Sequence, residues 1–384
     1  MGVKQRVGVI GGGQLAWMMG PAAQRLGLDL VVQTPQATDP AAAIATAVIL
    51  APVADAQATL QLAQQCDVIT FENEFVDLEA LAALSAQGIE FAPALTALKP
   101  LLDKYEQRSF LAQHQLPNPR FVALADREDP QHSPFGFPVM LKARRLGYDG
   151  KGTQVINTAT ELAAIVNEQG AEPFLLEEYV PFECELAVMA ARSRTGQIAI
   201  YPIVETQQVD HVCRRVIAPA VISPVITAKI RAIATTILDH LNVVGVFGIE
   251  LFLTQAGEVL VNELAPRTHN SGHYSLDACQ TSQFEQQLRA VTGLPLGNPD
   301  LTCAGAVMVN LLGFETATLS AKSVYEAKLA QLAALPNAHV YWYNKTDSKP
   351  GRKLGHVTVL FDGADQGLEA AQTTALKLEE IWYA

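Results

Sequence analysis

The residues best equipped for chemistry fall in four places along the chain. Between Val139 and Thr153 an apolar run ends in Lys142, Arg144 and Arg145 follow, and Gly147, Gly150 and Gly152 are interleaved with Tyr148, Asp149 and Lys151. Small residues let backbone N–H groups converge on an anion while lysine supplies mobile positive charge, so this stretch is suited to wrapping a phosphate chain. The same residues also fit an ordinary hairpin about the Asp149-Gly150 turn. Further on, the apolar runs VVGVFGIELFLT and GEVLVNELAP carry Glu250 and Glu263, with Asn262 beside the second. The intervening turn, Gln255-Ala256-Gly257, predicts antiparallel pairing that sets Glu250 beside Glu263. Neighbouring interior carboxylates repel unless a cation or base neutralises them, and such hard oxygen ligands suit Mg²⁺ that bridges to phosphates. Arg267, His269, Asn270, Ser271 and His273 follow as a dense donor cluster, fit for a small anion or for developing negative charge; their spacing is not a zinc signature. Last, Lys345, Arg352 and Lys353 flank a Pro-Gly turn, where they suit either the phosphate of a second substrate or plain solvation.

These residues need elements to position them. Arg6 to Ile10 reads as a buried strand, Gly11-Gly12-Gly13-Gln14 as a tight turn, and LAWMMGPAAQRLG as a helix that its internal Gly-Pro should distort or cut short. Strand, glycine turn and helix open a βαβ unit. The glycines match a dinucleotide fingerprint, but the second strand, Leu28 to Gln33, runs into Thr34-Pro35 where an acidic ribose ligand is expected. A nicotinamide site therefore rests on the glycines alone, and the turn is left to shape a substrate site or a simple bend. A further strand, Asp67 to Phe71, leads into Glu72-Asn73-Glu74, carboxylates placed either for ligand contact at a sheet edge or as the acidic start of the next helix. A helix from Asp103 to His114 puts Lys104 and Arg108 on one face. Strands around the glycine-rich loop, the helix ELAAIVNEQG and the strands FLLEEYV and CELAVMAAR make an α+β block at about 120–190, the size of a mobile lid. Its Glu177-Glu178-Tyr179-Val180 segment suits an adenine, and Glu185 a ribose hydroxyl. From Gly305 a small sheet is expected, closed by the amphipathic helix GLEAAQTTALKLEEIW.

A chain of 384 residues is long enough for two to four domains, which we place at 1–100, 101–298 and 299–384. The net charge of −12 argues against a general nucleic-acid or anionic-membrane binder, though a local basic pocket can still take a phosphorylated small molecule. Five widely spaced cysteines without a C-x-x-C pair read as reduced thiols of a cytoplasmic protein. No 18-residue apolar run or secretory signal is expected.

The motifs TFENE, KARRLGYDGKGT, EEYVPFECELAV, NELAPRTHNSGHYS, SQFEQQLRAVTGLPLG and YNKTDSKPGRKLGH, spread over nearly the whole chain, resemble the N5-carboxyaminoimidazole ribonucleotide synthetases of the ATP-grasp superfamily. The resemblance implies an α/β and α+β architecture: an N-terminal Rossmann-like domain, an ATP-grasp domain and a small C-terminal sheet domain. It implies a ligase of purine (IMP) biosynthesis that uses ATP and bicarbonate to carboxylate 5-aminoimidazole ribonucleotide by way of carboxyphosphate, releasing ADP and phosphate. Lys104 and Lys142 match phosphate-contacting positions, and Gly147 to Thr153 the loop over the phosphates. Glu177, Glu178, Tyr179, Val180, Glu185 and Gln208 match the nucleoside segment. Glu250 and Glu263, with Asn262 alongside, match the ligands of Mg²⁺ or Mn²⁺. Arg267, His269, Asn270, Ser271 and His273 match the bicarbonate and carboxyphosphate region. Gly12, Gly13, Gln14, Glu72, Tyr148, Asp149, Lys345, Arg352 and Lys353 match positions that hold the ribonucleotide. A homodimer is implied as well. Two departures touch the nucleotide site. Thr206 and Gln208 stand where the family has an Asn and a His, and Lys104 where an arginine is common. A biotin carboxylase or a formate-using glycinamide ribonucleotide transformylase would share the fold and differ in the acceptor, and a nucleotide sensor would bind ATP without bicarbonate-dependent turnover.

Overall fold

A computed structural model describes residues 4–127, 129, 131–145, 152–209, 212–318, 321–363 and 367–383; at 317, 318 and 321–324 only the backbone is described. The first unit is a parallel sheet in the order β3-β2-β1-β4, made by β1 (Arg6–Ile10), β2 (Asp29–Thr34), β3 (Ala47–Leu50) and β4 (Val68–Phe71). Between them run α1 (Gln14–Leu26) and α2 (Ala56–Ala63), with α3 (Leu78–Ser85) and the short α4 (Leu95–Leu98) after them. Buried strand residues such as Val7, Val9, Leu30 and Val32 meet Leu15, Met18, Met19 and Ala22 of α1. Contrary to expectation, Pro21 neither ends nor splits α1. The N–H that proline lacks is one bond of a helix whose buried face is already anchored on both sides of it. Asp77 caps α3 by accepting from the Ala80 N–H, so Glu72 and Glu74 are not the start of that helix.

Helix α5 (Lys104–Gln113), capped by Asp103, leads into a small antiparallel sheet of order β5-β8-β6-β7, formed by β5 (Phe121–Ala123), β6 (Val139–Ala143), β7 (Thr153–Ile156) and β8 (Phe174–Glu178), with α6 (Ala159–Gln169) packed on it. The large sheet begins with β9 (Phe182–Arg192), on which β10 (Ile198–Ile200), β11 (Val204–Val209) and β13 (Gly245–Thr254) pair; β12 (Val212–Ala218) pairs with β11, and β14 (Val259–Ala265) with β13. Strand alternation divides its residues between two faces. Leu186, Val188 and Ala190 of β9 and Phe247, Ile249 and Leu251 of β13 pack against α7 (Pro224–Leu241), whose Ile226, Ile230, Ile233 and Ile237 form the matching stripe. That alternation leaves Glu185 and Glu250 on the opposite face.

After the short α8 (Ser275–Ala278) and α9 (Gln283–Thr292), β15 (Gly305–Leu312) pairs with β12 on one side and β19 (Lys353–Phe361) on the other. The C-terminal strands thus continue the central sheet, in the order β14-β13-β9-β11-β12-β15-β19-β17, instead of standing apart from it. Strand β17 (Ala338–Trp342) forms the edge, β16 (Ala317–Thr318) and β18 (Asp347–Ser348) make a small ribbon, and α10 (Ala321–Ala333) and α11 (Leu368–Tyr383) cover one face. Trp382 is fully buried there against Tyr325.

Candidate active site

A cavity of about 830 Å³ opens where the carboxyl end of the parallel sheet, the small antiparallel sheet and the polar face of the large sheet meet. Its floor is built by β13 and β14, which pair antiparallel with Glu250 opposite Glu263, as the turn between them predicts. The register then slips: Leu251 pairs with Val261, so Asn262 is an extra residue on β14. Such a bulge turns two successive side chains toward one face, and both Asn262 and Glu263 line the cavity. Burial first, then the charge of Glu263, raises the Glu250 carboxyl to about 7. The Lys104 ammonium, 2.9 Å from Glu263, draws that carboxyl down against the effect of burial.

Beside this pair lies a buried ionic triad. Glu177 accepts from Arg108 Nε at 2.7 Å and faces Lys142 Nζ at 2.7 Å, and Arg108 also donates to the Val261 carbonyl at 3.1 Å. Burial would raise the Glu177 carboxyl, but Arg108 and then Lys142 bring it down to about 2. Lys142 further donates to Asn262 Oδ1 at 3.2 Å, tying the small sheet to the bulge. Two strand positions therefore hold Lys142 in place, and Glu177 spends its carboxylate on cations of the protein. Glu178 bonds Arg120. Glu178, Tyr179 and Val180 run along the rim, where the rings of Phe182 and Phe252 stack at 4.7 Å to give a flat apolar wall. Across it Glu185 is raised by burial to about 7, a rise that the neighbouring Gln208 amide opposes.

The donor cluster follows β14 as a loop and a turn of 3₁₀ helix. Gly248 lets it lie on the sheet: a Cβ there would sit 2.7 Å from His269 Cβ. Gln283, wholly buried, fixes the loop. Its Oε1 accepts from the His269 N–H at 2.9 Å, which leaves Nε2 to donate to the His269 carbonyl at 2.7 Å and to His273 Nδ1 at 3.2 Å. His273 Nδ1 is then an acceptor and the ring proton sits on Nε2, an atom with no partner among the described residues. The imidazole is neutral, since burial holds its pKa well below the usual range. His269 lies between Ser271 Oγ (2.9 Å from Nδ1) and Glu250 (3.6 Å from Nε2), and burial lowers its pKa to about 4. Asn270 exchanges amide hydrogen bonds with Asn310 of β15. Arg267 is bound side-on to the Glu74 carboxylate at 2.6 and 3.0 Å.

At the far end Gly11 and Gly13 give way to Glu72, whose carboxylate oxygens would stand 2.6 and 2.4 Å from a Cβ at those positions. Burial raises the same carboxylate despite the charge of nearby Arg267. Gly12 instead abuts Thr34, whose hydroxyl donates to Asp39 and fills the place of a ribose-binding acid.

Of the residues singled out by sequence, Gln14, Glu72, Lys104, Lys142, Thr153, Glu177 to Val180, Glu185 and Gln208 line the cavity, as do Glu250, Asn262, Glu263, Arg267, His269, Asn270, His273 and Lys353. Ser271 lies beneath His269, Gly12 and Gly13 lie in the turn behind Gln14, and Gly152 immediately precedes β7 outside the lining. Lys345 donates to the Lys353 carbonyl at 2.8 Å and Arg352 pairs with Asp347 at 3.0 Å; neither side chain reaches the wall. Gly147, Tyr148, Asp149, Gly150 and Lys151 lie outside the described residues. Sequence reasoning placed Glu74 for ligand contact but not for its bond to Arg267, and it did not single out Phe252 or the Arg108 bond to Glu177. Only Phe252 carried a local signal, two residues beyond Glu250 on the same strand face. Among the described residues no three His, Cys, Asp or Glu side chains form a closed metal site. The Glu250–Glu263 pair fits a hard cation that draws its other oxygens from phosphates and water.

Comparison with known proteins finds three domain families along the chain. The ATP-grasp domain family matches residues 109–284, the ribonucleotide synthetase preATP-grasp domain residues 4–100, and the phosphoribosylaminoimidazole carboxylase C-terminal domain residues 306–370. The chain is 56% identical over 382 residues to the N5-carboxyaminoimidazole ribonucleotide synthase of Synechococcus elongatus, covering 98% of this chain and 95% of that protein. It is similar to the crystal structure of N5-carboxyaminoimidazole ribonucleotide synthetase from Thermotoga maritima, with a TM-score of 0.85, 38% identity and 98% of each chain covered. It is also similar to the N5-carboxyaminoimidazole synthase of Aspergillus clavatus in complex with ADP and 5-aminoimidazole ribonucleotide, with a TM-score of 0.88, 29% identity and 99% of each chain covered.

Proposed function

This chain belongs to the N5-carboxyaminoimidazole ribonucleotide synthase family of ATP-grasp ligases, and on that premise we propose that it carboxylates 5-aminoimidazole ribonucleotide with ATP and bicarbonate. The observation that carries the reading is one continuous cavity with a nucleotide end, a paired-carboxylate floor and an anion-binding loop. The wall of Phe182 and Phe252 takes the adenine, Glu185 and Gln208 the ribose, and Lys104 and Lys142 the phosphates. Glu250 and Glu263 hold Mg²⁺, or Mn²⁺ in its place, which when bound neutralises charge on the terminal phosphates. Arg267 and the His269–Asn270 loop seat bicarbonate with an oxygen toward the γ-phosphorus. Its attack forms carboxyphosphate and releases ADP. The exocyclic amine of the ribonucleotide then takes the carboxyl carbon, phosphate leaves, and the amine gives up one proton. Glu72 and the turn before α1 orient the ribonucleotide, and Lys353 faces its phosphate. No side chain becomes covalently linked, so the protein contributes position and charge.

The described residues include no helix long and apolar enough to cross a membrane. All five cysteines are unpaired, which supports a cytoplasmic setting. A homodimer is expected, to be checked by light scattering. The deciding assay for the function is ADP release with bicarbonate present, with and without 5-aminoimidazole ribonucleotide, alongside product detection. Release that requires both substrates and matches carboxylated product one for one bears out the reading; ATP turnover indifferent to the ribonucleotide refutes it.

A further inference from the structure

The fork of Arg267 is already occupied. A guanidinium carries five N–H bonds. Nε and NH2 donate to the two oxygens of Glu74 at 2.6 and 3.0 Å, and NH1 donates to the Thr268 carbonyl at 3.2 Å. Two N–H bonds remain, one on each terminal nitrogen, and they are the whole capacity of Arg267 for a second anion. Glu74 belongs to the loop after β4 and Arg267 to the loop after β14, so the pair joins the parallel sheet to the anion-binding loop. Both side chains lie on the cavity wall, three-quarters or more buried. Glu74 is held below the usual carboxylate range: burial raises it, but the charge and hydrogen bonds of Arg267 outweigh that. Its loop is braced locally by the Phe75 N–H bond to Asn73 Oδ1 at 3.1 Å. Two other carboxylates, Glu72 and Glu263, line the same cavity, and their charges also act on the guanidinium. A swing toward either would put Arg267 on the ribonucleotide end or on the paired acids of the floor.

Resting on the reaction proposed above, we infer that Glu74 is a positioning residue for the bicarbonate step. It fixes the Arg267 plane by a two-point bond, keeps the guanidinium away from Glu72 and Glu263, and leaves it two N–H bonds, one on each terminal nitrogen, for bicarbonate. Glu74 touches no substrate itself.

The test compares wild type, Glu74→Gln, Glu74→Asp, Arg267→Lys and the double variant Glu74→Gln/Arg267→Lys in ribonucleotide-dependent ADP release, with KM measured for each substrate. An amide oxygen can accept only part of the two-point bond. Glu74→Gln should therefore raise the bicarbonate KM by about tenfold or more, on the scale of one charge-assisted hydrogen bond, while the KM values for ATP and ribonucleotide stay within about threefold. Glu74→Asp should recover part of the loss, and the double variant should be no worse than Arg267→Lys alone, because both changes remove one device. A bicarbonate KM for Glu74→Gln within twofold of wild type, a lowered one, or additive losses in the double variant would each overturn the assignment. Crystal structures of wild type and Glu74→Gln give a readout independent of turnover. Arg267 should leave the Glu74 position in the variant, and an unmoved guanidinium rules the idea out even if the reaction itself is confirmed.

Discussion

Arg108→Met probes the deepest charge arrangement in the molecule. Arg108 and Glu177 are 3% and 2% exposed, so water cannot replace what the substitution removes. Methionine fills much of the volume but leaves the Glu177 carboxylate with Lys142 alone and the Val261 carbonyl without its Arg108 donor. Breaking a buried ion pair by deleting one partner costs about 3–5 kcal/mol, and the surviving Lys142 bond places this case near 3. Titration leads to a similar figure. Glu177 sits at about 2 against an ordinary 4.5, a gap equivalent to about 3 kcal/mol of preference for the ionised form. Because its folded pKa is depressed, this stability is fully present above pH 4.5 and is lost as pH falls from there toward 2. Scanning calorimetry at pH 7 should show the transition of the central sheet lowered by roughly 6–12 °C. At pH 4 the gap between wild type and variant should narrow by at most about 1 kcal/mol, since wild type has begun to lose the share of this contribution that Arg108 supplies beyond Lys142. A drop below about 2 °C at pH 7, or a gap that widens in acid, would show that Lys142 alone satisfies Glu177 and that the triad reasoning is wrong.

Other perturbations separate the parts of the cavity. Glu263→Gln should lower turnover by about 100-fold or more with the fold intact, because it removes one of two paired carboxylates and the partner of Lys104; wild-type rates at saturating Mg²⁺ would exclude it as a metal ligand. Lys353→Ala should raise the ribonucleotide KM by about tenfold and leave that for ATP little changed, and steady-state kinetics with an unchanged ribonucleotide KM would remove Lys353 from the phosphate contact. Burial lowers the pKa of His356 to about 3, so the unfolded chain binds its proton more readily and stability falls as pH drops below about 6.5. His356→Gln keeps an acceptor for the Tyr343 hydroxyl and should flatten urea-unfolding stability against pH by about 1.4 kcal/mol per unit between pH 4 and 6; an unchanged slope would contradict a neutral buried His356.

Much of the site could be read from sequence because strand alternation and tight turns are local properties of the backbone. Glu250 and Glu263 stand in apolar runs joined by a short turn, so their pairing follows from period-two geometry and hairpin closure. The strand, glycine turn and helix at the N-terminus, and the crowding of donors between Arg267 and His273, are likewise visible in a few consecutive residues. Tertiary structure decided the partners. Glu74 meets Arg267 across 193 positions, Lys104 meets Glu263 across 159, and Arg108 meets Glu177 across 69. No periodicity in either segment encodes such a meeting; it depends on how three sheets close around one cavity. The same holds for the slip that turns Asn262 into the cavity and for the joining of β15 to β12, which depends on which exposed strand edge finds another to satisfy its backbone hydrogen bonds. Residue types thus announced which chemistry was available, and packing determined which carboxylates face substrate and which are spent holding the protein's own cations in place.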